Sequence, residues 1–236
     1  KEGGFIYKRF RNKEKKLYSL SDHIGCMSQA NVEYLLAHNP EIPPEKVHVN
    51  PNSIRPTPED AMQCNKELLK EYGILESSLK LIYGGNLGKP QGIDFLLAVL
   101  KALSEKKDVY TLIVGDGTEY DKLLHFLQKE NISNAKLLKA LPKDIYLSLL
   151  PCMNVGLIFL DHRFTIPNFP SRVLDYLNAS LPVIAAVDFS TDLGKIIYQN
   201  GAGLYCESND VNAFLQCVDK MRDKEFRISC GRAAKE

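Results

Sequence analysis

From about residue 77 onwards, short apolar β-rich segments alternate with helical patterns, and this alternation limits the fold more than any other feature. The predicted strands are 79–83, 109–114, 136–138, 154–160, 182–186 and 203–206. The predicted helices are 92–105, 119–129, 142–150, a short one after Pro170, 191–199 and 209–222. Strands this apolar are buried on both faces, and the helices between them supply crossover connections. The pattern predicts an α/β fold with a doubly wound parallel sheet.

The first 55 residues have a different character. Two short predicted strands, 22–28 and 47–50, flank a predicted helix at 29–38, and a proline-rich stretch follows. Prolines stiffen a connection and interrupt regular structure. We therefore predict that residues 1–55 are the remnant of one domain with its linker, and that residues 56–236 form a second domain.

Composition and cysteine spacing exclude several classes of function. The formal net charge is +1, so no overall attraction to nucleic acid is expected, and the basic stretch 8–16 is predicted to be an exposed helix face. The six cysteines show no C-x-x-C spacing, which argues against a zinc site or a redox pair. Cys152, Cys206 and Cys217 lie in apolar stretches and are predicted to be reduced core residues, which favours the cytoplasm.

Three further absences shape the expectations. The longest apolar run, Val155–Leu160, is too short to span a bilayer. No Asp-x-Asp pair occurs in a loop, so no bound metal is predicted. We expect no cofactor either. The chain begins at Lys1, and we expect a longer protein whose front part is missing here.

Ligands of parallel α/β sheets bind beyond the carboxyl ends of the strands. The loops to consider are therefore 84–92, 115–119, 139–142 and 161–172, which we expect along one edge. The glycine-rich stretch 84–88 lets backbone N–H groups approach a phosphate. It matches neither G-x-G-x-x-G nor a P-loop. Candidate phosphate-binding residues here are Gly85, Asn86, Leu87 and Lys89, and the turn beside them contributes Gly115 and Gly117.

The loop before the short helix is the most informative. Its candidate residues are Asn168, Phe169, Pro170, Ser171 and Arg172. A helix that begins there directs free N–H groups and its dipole at an anion. Asp175, in the first turns, either complements the dipole for about 0.3–1 kcal/mol or accepts hydrogen bonds from a vicinal diol such as ribose. Phosphate beside ribose describes a nucleotide.

Four segments in order resemble a known family: "IYGGNLGKPQGIDFLLAVLKAL", "LIVGDGTEYDKL", "LPKDIYLSLLPCMNVGLIFL" and "IPNFPSRVLDYLNASLPVIA". They are similar to the donor-binding, C-terminal domain of retaining GT-B glycosyltransferases, closest to the family-4 enzymes of bacterial capsule and O-antigen synthesis. "MSQANVEYLLAHNPEIPPEKVHVNPNSI" resembles the end of the same family's acceptor domain.

The resemblance implies a Rossmann-like domain that holds a nucleotide-diphosphate sugar, with UDP expected first and GDP second. It implies metal-independent transfer to a lipid-linked or other glycan acceptor. We also expect a cytoplasmic protein, associated peripherally with the inner face of the membrane through the missing part of its N-terminal domain. The base would lie against the loop that holds Ala140, Leu141 and Pro142.

The sequence departs from the family at several positions. Of the two glutamates that mark it, the second falls on Asp175, with the role of gripping the ribose, but the first falls on Pro167. The usual arginine and lysine of the glycine loop are Asn86 and Gln91 here, so we expect Lys89 and Arg172 to provide the positive charge, with Arg163 as a further candidate. The catalytic residues stay unassigned. Two alternatives remain open: a UDP-sugar 2-epimerase of the same fold, and a module that binds nucleotide sugar without catalysis.

Overall fold

The computed structural model describes residues 4–58, 63–74 and 77–236. The chain divides into two compact units, Lys1–Asn52 and Ser53–Glu236. No helix of the described residues is long and apolar enough to cross a membrane.

The first unit is a small βαβ arrangement preceded by a helix. Its elements are α1 (Phe5–Leu20), β1 (Ile24–Cys26), α2 (Gln29–His38) and β2 (Val47–Val49). The two strands are parallel, with Cys26 paired to Val49. Cys26, Val32, Ile42 and Val47 form the buried core. α1 buries none of its residues, which confirms the prediction of an exposed basic helix face.

The second unit alternates strands and helices along its whole length. Its strands are β3 (Leu79–Asn86), β4 (Val109–Asp116), β5 (Ala135–Leu138), β6 (Val155–Phe159), β7 (Val183–Val187) and β8 (Gly203–Glu207). Its helices are α3 (Lys66–Glu71), α4 (Ile93–Leu103), α5 (Tyr120–Lys129), α6 (Lys143–Leu149), α7 (Arg172–Asn178), α8 (Leu193–Gln199), α9 (Val211–Lys220) and α10 (Lys224–Lys235).

The strands form one six-stranded sheet in the order β5-β4-β3-β6-β7-β8, and every neighbouring pair is parallel. The predicted Rossmann-like doubly wound parallel sheet is therefore confirmed. The order runs outwards from β3 in one direction and from β6 in the other. The crevice between the carboxyl ends of β3 and β6 is thus the topological switch point, where sheets of this type bind their ligands.

The two faces of the sheet bury separate cores. Leu79, Leu81 and Tyr83 of β3 belong to one core, whereas Ile82, between them, belongs to the other. Alternate residues of a strand point to opposite faces. Because both faces are covered, the central strands have to be apolar throughout, and this is the pattern that predicted them.

Three features differ from the sequence-based expectation. Helices α3 and α10 were not predicted, although Asp223 caps α10 by accepting hydrogen bonds from the N–H groups of Glu225 and Phe226. Strands β3 and β4 continue through the glycines that we assigned to loops, and they stay in register as far as Asn86 and Asp116. Glycines at the end of a strand suggest a turn, but they can still pair with the neighbouring strand, because the backbone hydrogen bonds of a sheet do not depend on a side chain.

The prediction that Cys152 is reduced is wrong, because Cys152 forms a disulfide with Cys64. The two residues are 88 positions apart and show no motif spacing, so the sequence offered no signal for this pair. Cys206 and Cys217 are free, as predicted. Cys152 therefore no longer supports a reducing compartment.

Candidate functional site

A cavity of about 430 Å³ lies at the carboxyl ends of β3 and β4, between the loop after β5 and the start of α7. This volume is within the range of small-molecule sites. The predicted site residues that line it are Gly85, Asn86, Gly115, Leu141, Ser171, Arg172 and Asp175. Ala140, from the loop expected to meet a base, lines it as well. The structure thus brings residues from four separate segments of the chain to one place.

A larger cavity, of about 530 Å³, lies between α10 and the segments that precede β6 and β7. It is at the amino-terminal edge of the sheet, far from the strand ends that carry the candidate residues. Ligands of doubly wound sheets bind at the carboxyl edge. The cavity of 430 Å³ is therefore the candidate site, although it is the smaller of the two.

The floor of the site consists of bare backbone. Gly85 is paired with Gly115 across the two strands. A Cβ atom at Gly115 would lie 1.9 Å from the carbonyl oxygen of Gly85, so only glycine fits there. Gly85 has a φ of +129°, and its face is covered by the guanidinium of Arg172, 3.2 Å from an ideal Cβ position. Both glycines line the cavity without a side chain of their own, and the group that covers Gly85 is the guanidinium of Arg172.

Leu87 and Gly117, which we predicted to bind donor, lie outside the cavity lining and are engaged in contacts within the fold. The side chain of Leu87 is fully buried. Its N–H donates to the carbonyl of Asp116 at 2.8 Å, and its carbonyl accepts from the N–H of Glu119 at 2.9 Å. The N–H of Gly117 donates to the carboxylate of Asp116 at 2.8 Å. Neither residue lines the cavity, and these backbone groups are already used.

Four further predicted residues lie outside the cavity lining: Lys89, Asn168, Phe169 and Pro170. Lys89 is exposed. The carbonyl of Asn168 accepts a hydrogen bond from the hydroxyl of Thr191 at 2.8 Å, Phe169 packs against a core, and Pro170 is buried. These residues shape the turn that leads into α7, and only Ser171 and Arg172 reach the cavity.

Arg172 is the first residue of α7, and its guanidinium is held on two sides. Nη2 donates to Oε1 of Gln91 at 2.8 Å. Cζ lies 4.6 Å from the centre of the Tyr83 ring, a cation–π distance. Nη1 is buried and finds no acceptor in the described part of the chain. An unpaired donor of a charged group is costly to bury, which makes Nη1 a candidate donor for a ligand.

Arg163, the other arginine considered, is already engaged. Its Nε donates to Oδ1 of Asp161 at 2.8 Å, and its Nη2 contacts Oδ2 of the same carboxylate. This bidentate pair neutralises its charge. Arg163 is absent from the cavity lining and is the weaker candidate for an anion ligand.

The carboxylate of Asp175 is half-buried in the cavity wall, and it makes no hydrogen bond or ion pair with any described residue. Burial raises its pKa above the ordinary value, and the nearby Lys143 opposes that shift. A carboxylate without a partner in a cavity is a typical feature of a functional site. Both of its oxygens are free to accept hydrogen bonds from a ligand.

The residues that sequence reasoning missed include Tyr146 and Lys143, which line the cavity, and Gln91, which contacts Arg172 from outside the lining. The Tyr146 hydroxyl covers Gly84, where an ideal Cβ would lie 2.0 Å from it. Burial raises the pKa of the Tyr146 hydroxyl. Tyr146 lies on a helix that we identified only by its apolar positions, and no motif singled it out. Gln91 was noted only as the place of an absent lysine.

The combination of groups limits the chemistry of the site. It offers a guanidinium with a spare donor, bare strand-end backbone and an unpaired carboxylate. Across the residues that the structure describes, no cluster of three or more His, Cys, Asp or Glu side chains could hold a metal ion. The arrangement suits a ligand that carries both a negative charge and hydroxyl groups.

Comparison with known proteins gives consistent matches. The family model described as "Glycosyl transferases group 1" matches residues 65–236. The Pseudomonas aeruginosa protein "Probable glycosyltransferase WbjE" is 22% identical over 226 residues, which cover 94% of this chain and 54% of WbjE. The chain spans about half the length of the curated relatives it matches.

Two solved structures show the same fold. Sucrose-phosphate synthase from Thermosynechococcus elongatus matches with a TM-score of 0.76 at 16% identity, over 97% of this chain and 56% of that protein. HepE from Anabaena, in complex with UDP and glucose, matches with a TM-score of 0.73 at 17% identity, over 97% and 61%. These matches confirm the predicted GT-B fold type.

Proposed function

The chain belongs to the glycosyl transferases group 1 family, and from this premise we propose that it binds the nucleotide-diphosphate sugar donor of a retaining, metal-independent glycosyltransferase. The observation that carries the proposal is the meeting of an unpaired half-buried carboxylate, Asp175, with an under-used guanidinium, Arg172, over the bare strand ends at Gly85 and Gly115. A nucleoside diphosphate presents the matching groups.

Each part of such a donor has a counterpart in the cavity. The ribose diol donates two hydrogen bonds to Asp175. The diphosphate lies beside Arg172 and the strand ends. The base lies against Ala140 and Leu141, the cavity-lining residues of the loop after β5. This order places the sugar near the switch point between β3 and β6.

We propose UDP as the nucleotide, with GDP second. The structural relative HepE was solved with UDP and glucose, and this supports UDP for a chain of the same fold. Transfer to a lipid-linked glycan in capsule or O-antigen synthesis, in the cytoplasm, is supported by the resemblance of the four sequence segments. Pro167, where the family has a glutamate, favours transfer over epimerisation, which would need several acids near the donor sugar.

Calorimetric titration tests the nucleotide site directly. UDP should bind the chain with the same affinity in EDTA and in Mg²⁺, because a guanidinium and backbone N–H groups can neutralise a diphosphate without a metal. A metal effect of tenfold, about 1.4 kcal/mol, would contradict the site as described. If neither UDP nor GDP binds, in EDTA or in Mg²⁺, the proposed function is rejected.

Peripheral association with the inner face of a membrane is proposed from α1. Its side chains Phe5, Ile6, Phe10, Leu17 and Leu20 are between 66% and 81% exposed. Exposed lysines and arginines, Lys8, Arg9, Lys13 and Lys16, share the helix with them. Exposed apolar and basic side chains on one helix are typical of membrane-surface helices.

Sedimentation with vesicles checks this proposal. The chain should sediment with vesicles that contain anionic lipid and not with neutral ones. A Phe10→Ser/Leu17→Ser variant should remain in the supernatant with its fold unchanged, because neither side chain is buried. Equal sedimentation of the variant and the wild type would contradict a role for α1.

A further inference from the structure

Gln91 and Arg172 join the two halves of the switch point. Gln91 ends the turn Lys89–Gln91 after β3, whereas Arg172 begins α7 after β6. The residues are 81 positions apart in the chain, and one hydrogen bond of 2.8 Å connects them. Gln91 is itself buried, at 8% exposure, so its amide is fixed in place and is not a freely moving surface group.

The partner of Arg172 is a neutral amide, and this preserves the charge of the guanidinium. No carboxylate lies within ion-pair distance of Arg172 in the part of the chain that the structure describes. Arg163, by contrast, is neutralised by Asp161. A glutamine oxygen can hold a guanidinium through one hydrogen bond while leaving its positive charge available.

The position that results is well defined. The Gln91 amide, the Tyr83 ring and the backbone of Gly85 surround the guanidinium. These three contacts restrict the rotamers of the Arg172 side chain. The N–H groups of Nη1 still have no acceptor among the described residues. A binding group whose rotamer is fixed in advance loses less entropy when the ligand arrives.

We propose that Gln91 is a positioning residue, which holds the Arg172 guanidinium at the switch point so that its charge and its spare donor meet the diphosphate of the donor. This inference rests on the proposed nucleotide-sugar function. Gln91 itself need not touch the ligand, because it acts through Arg172.

The test compares UDP with uridine, which lacks the phosphates, in calorimetric titrations of four variants. Gln91→Leu removes the acceptor at nearly constant size. Gln91→Glu keeps the acceptor but adds a negative charge. Arg172→Met removes the guanidinium and keeps an apolar stem, and the fourth variant combines Gln91→Leu with Arg172→Met.

Gln91→Leu should weaken UDP binding about tenfold, the order of one misplaced charge-assisted hydrogen bond, and leave uridine binding unchanged. Gln91→Glu should weaken UDP similarly while the melting temperature stays equal or rises, because the new carboxylate pairs with Arg172 and cancels its charge. In the Arg172→Met background, Gln91→Leu should have no further effect on UDP, since a positioning residue has nothing left to position.

Different results would overturn the inference. A purely structural role predicts that UDP and uridine affinities fall together in Gln91→Leu, and that Gln91→Glu binds UDP like the wild type. Additive losses in the double variant would show that Gln91 acts independently of Arg172. If the wild-type chain binds UDP while Gln91→Leu binds it equally well, only this inference fails, whereas a wild type without UDP binding rejects the proposed function itself.

Discussion

Replacing Asp175 with asparagine should weaken UDP binding about 100-fold and make the unliganded protein more stable at neutral pH. Asparagine has nearly the same shape, but it loses the charge and replaces one acceptor oxygen by a donor. A hydrogen bond to a charged group contributes roughly 1.5–3 kcal/mol, and each 1.4 kcal/mol corresponds to about tenfold in affinity. The loss of one such hydrogen bond and the weakening of the second together account for the expected 100-fold decrease in UDP affinity.

The gain in stability follows from the pKa of Asp175. Because burial raises this pKa in the folded protein, the folded state holds the proton more tightly than the unfolded state does. The stability that this proton contributes is fully present below the ordinary aspartate pKa of about 3.9, and it is lost as the pH rises through the raised value. At neutral pH the ionised carboxylate therefore costs stability, and asparagine removes that cost.

Calorimetry and thermal unfolding measure the two effects separately. The melting temperature of Asp175→Asn should exceed that of the wild type at pH 7, by about 2–4 °C for each kcal/mol, and the difference should shrink as the pH is lowered towards 4. Uridine should also bind less tightly, because the diol is part of the nucleoside.

Two matched controls separate the carboxylate contact from net charge. Asp144→Asn removes a carboxylate that is exposed, next to Lys143, and outside the cavity lining. Lys89→Ala removes an exposed charge that solvent and salt screen. Both should change UDP affinity much less than Asp175→Asn. Unchanged UDP binding in Asp175→Asn would reject the assignment of the ribose contact.

Much of the fold could be predicted because the sheet is buried on both faces. Val155–Phe159 and Val183–Val187 are fully apolar, and their length is that of buried strands. Once the strands are parallel, the carboxyl ends share an edge, so the loops that hold Gly85, Gly115 and Ser171 could be brought together by topology alone. The site followed from the order of the strands.

The parts that could not be predicted depend on contacts between distant side chains. The hydrogen bond between Gln91 and Arg172 joins residues that no motif connects. In the sequence, Gln91 stood out only as the position where the family usually has a lysine. Leu87 is the reverse case. Its place in a glycine-rich segment suggested a ligand contact, whereas its side chain is buried in the core and its backbone N–H and carbonyl bond to Asp116 and Glu119. Neither outcome is encoded in a local pattern.

The second large effect is expected from Gly115→Ala, which should destabilise the domain and abolish UDP binding together. The new methyl group would lie 1.9 Å from the carbonyl oxygen of Gly85 and 3.0 Å from its carbonyl carbon. These are backbone atoms in the neighbouring strand, so no side-chain rotation can relieve the overlap and the carboxyl ends of β3 and β4 have to separate. Overpacking of this kind costs about 1–3 kcal/mol or more.

Gly88→Ala is the matched control, since it adds the same methyl group within the same loop region. The three atoms nearest to an ideal Cβ at Gly88 are side-chain atoms of Asn86 and Pro90, the closest at 2.9 Å, and the tip of an asparagine side chain can rotate away. Gly88 has a φ of −104°, which any residue adopts without strain. The melting temperature should therefore fall clearly for Gly115→Ala and change little for Gly88→Ala. If both variants melt near the wild type and bind UDP normally, the two strand ends do not approach as closely as the register of Gly85 with Gly115 requires, and the floor of the site would have to be formed by other residues.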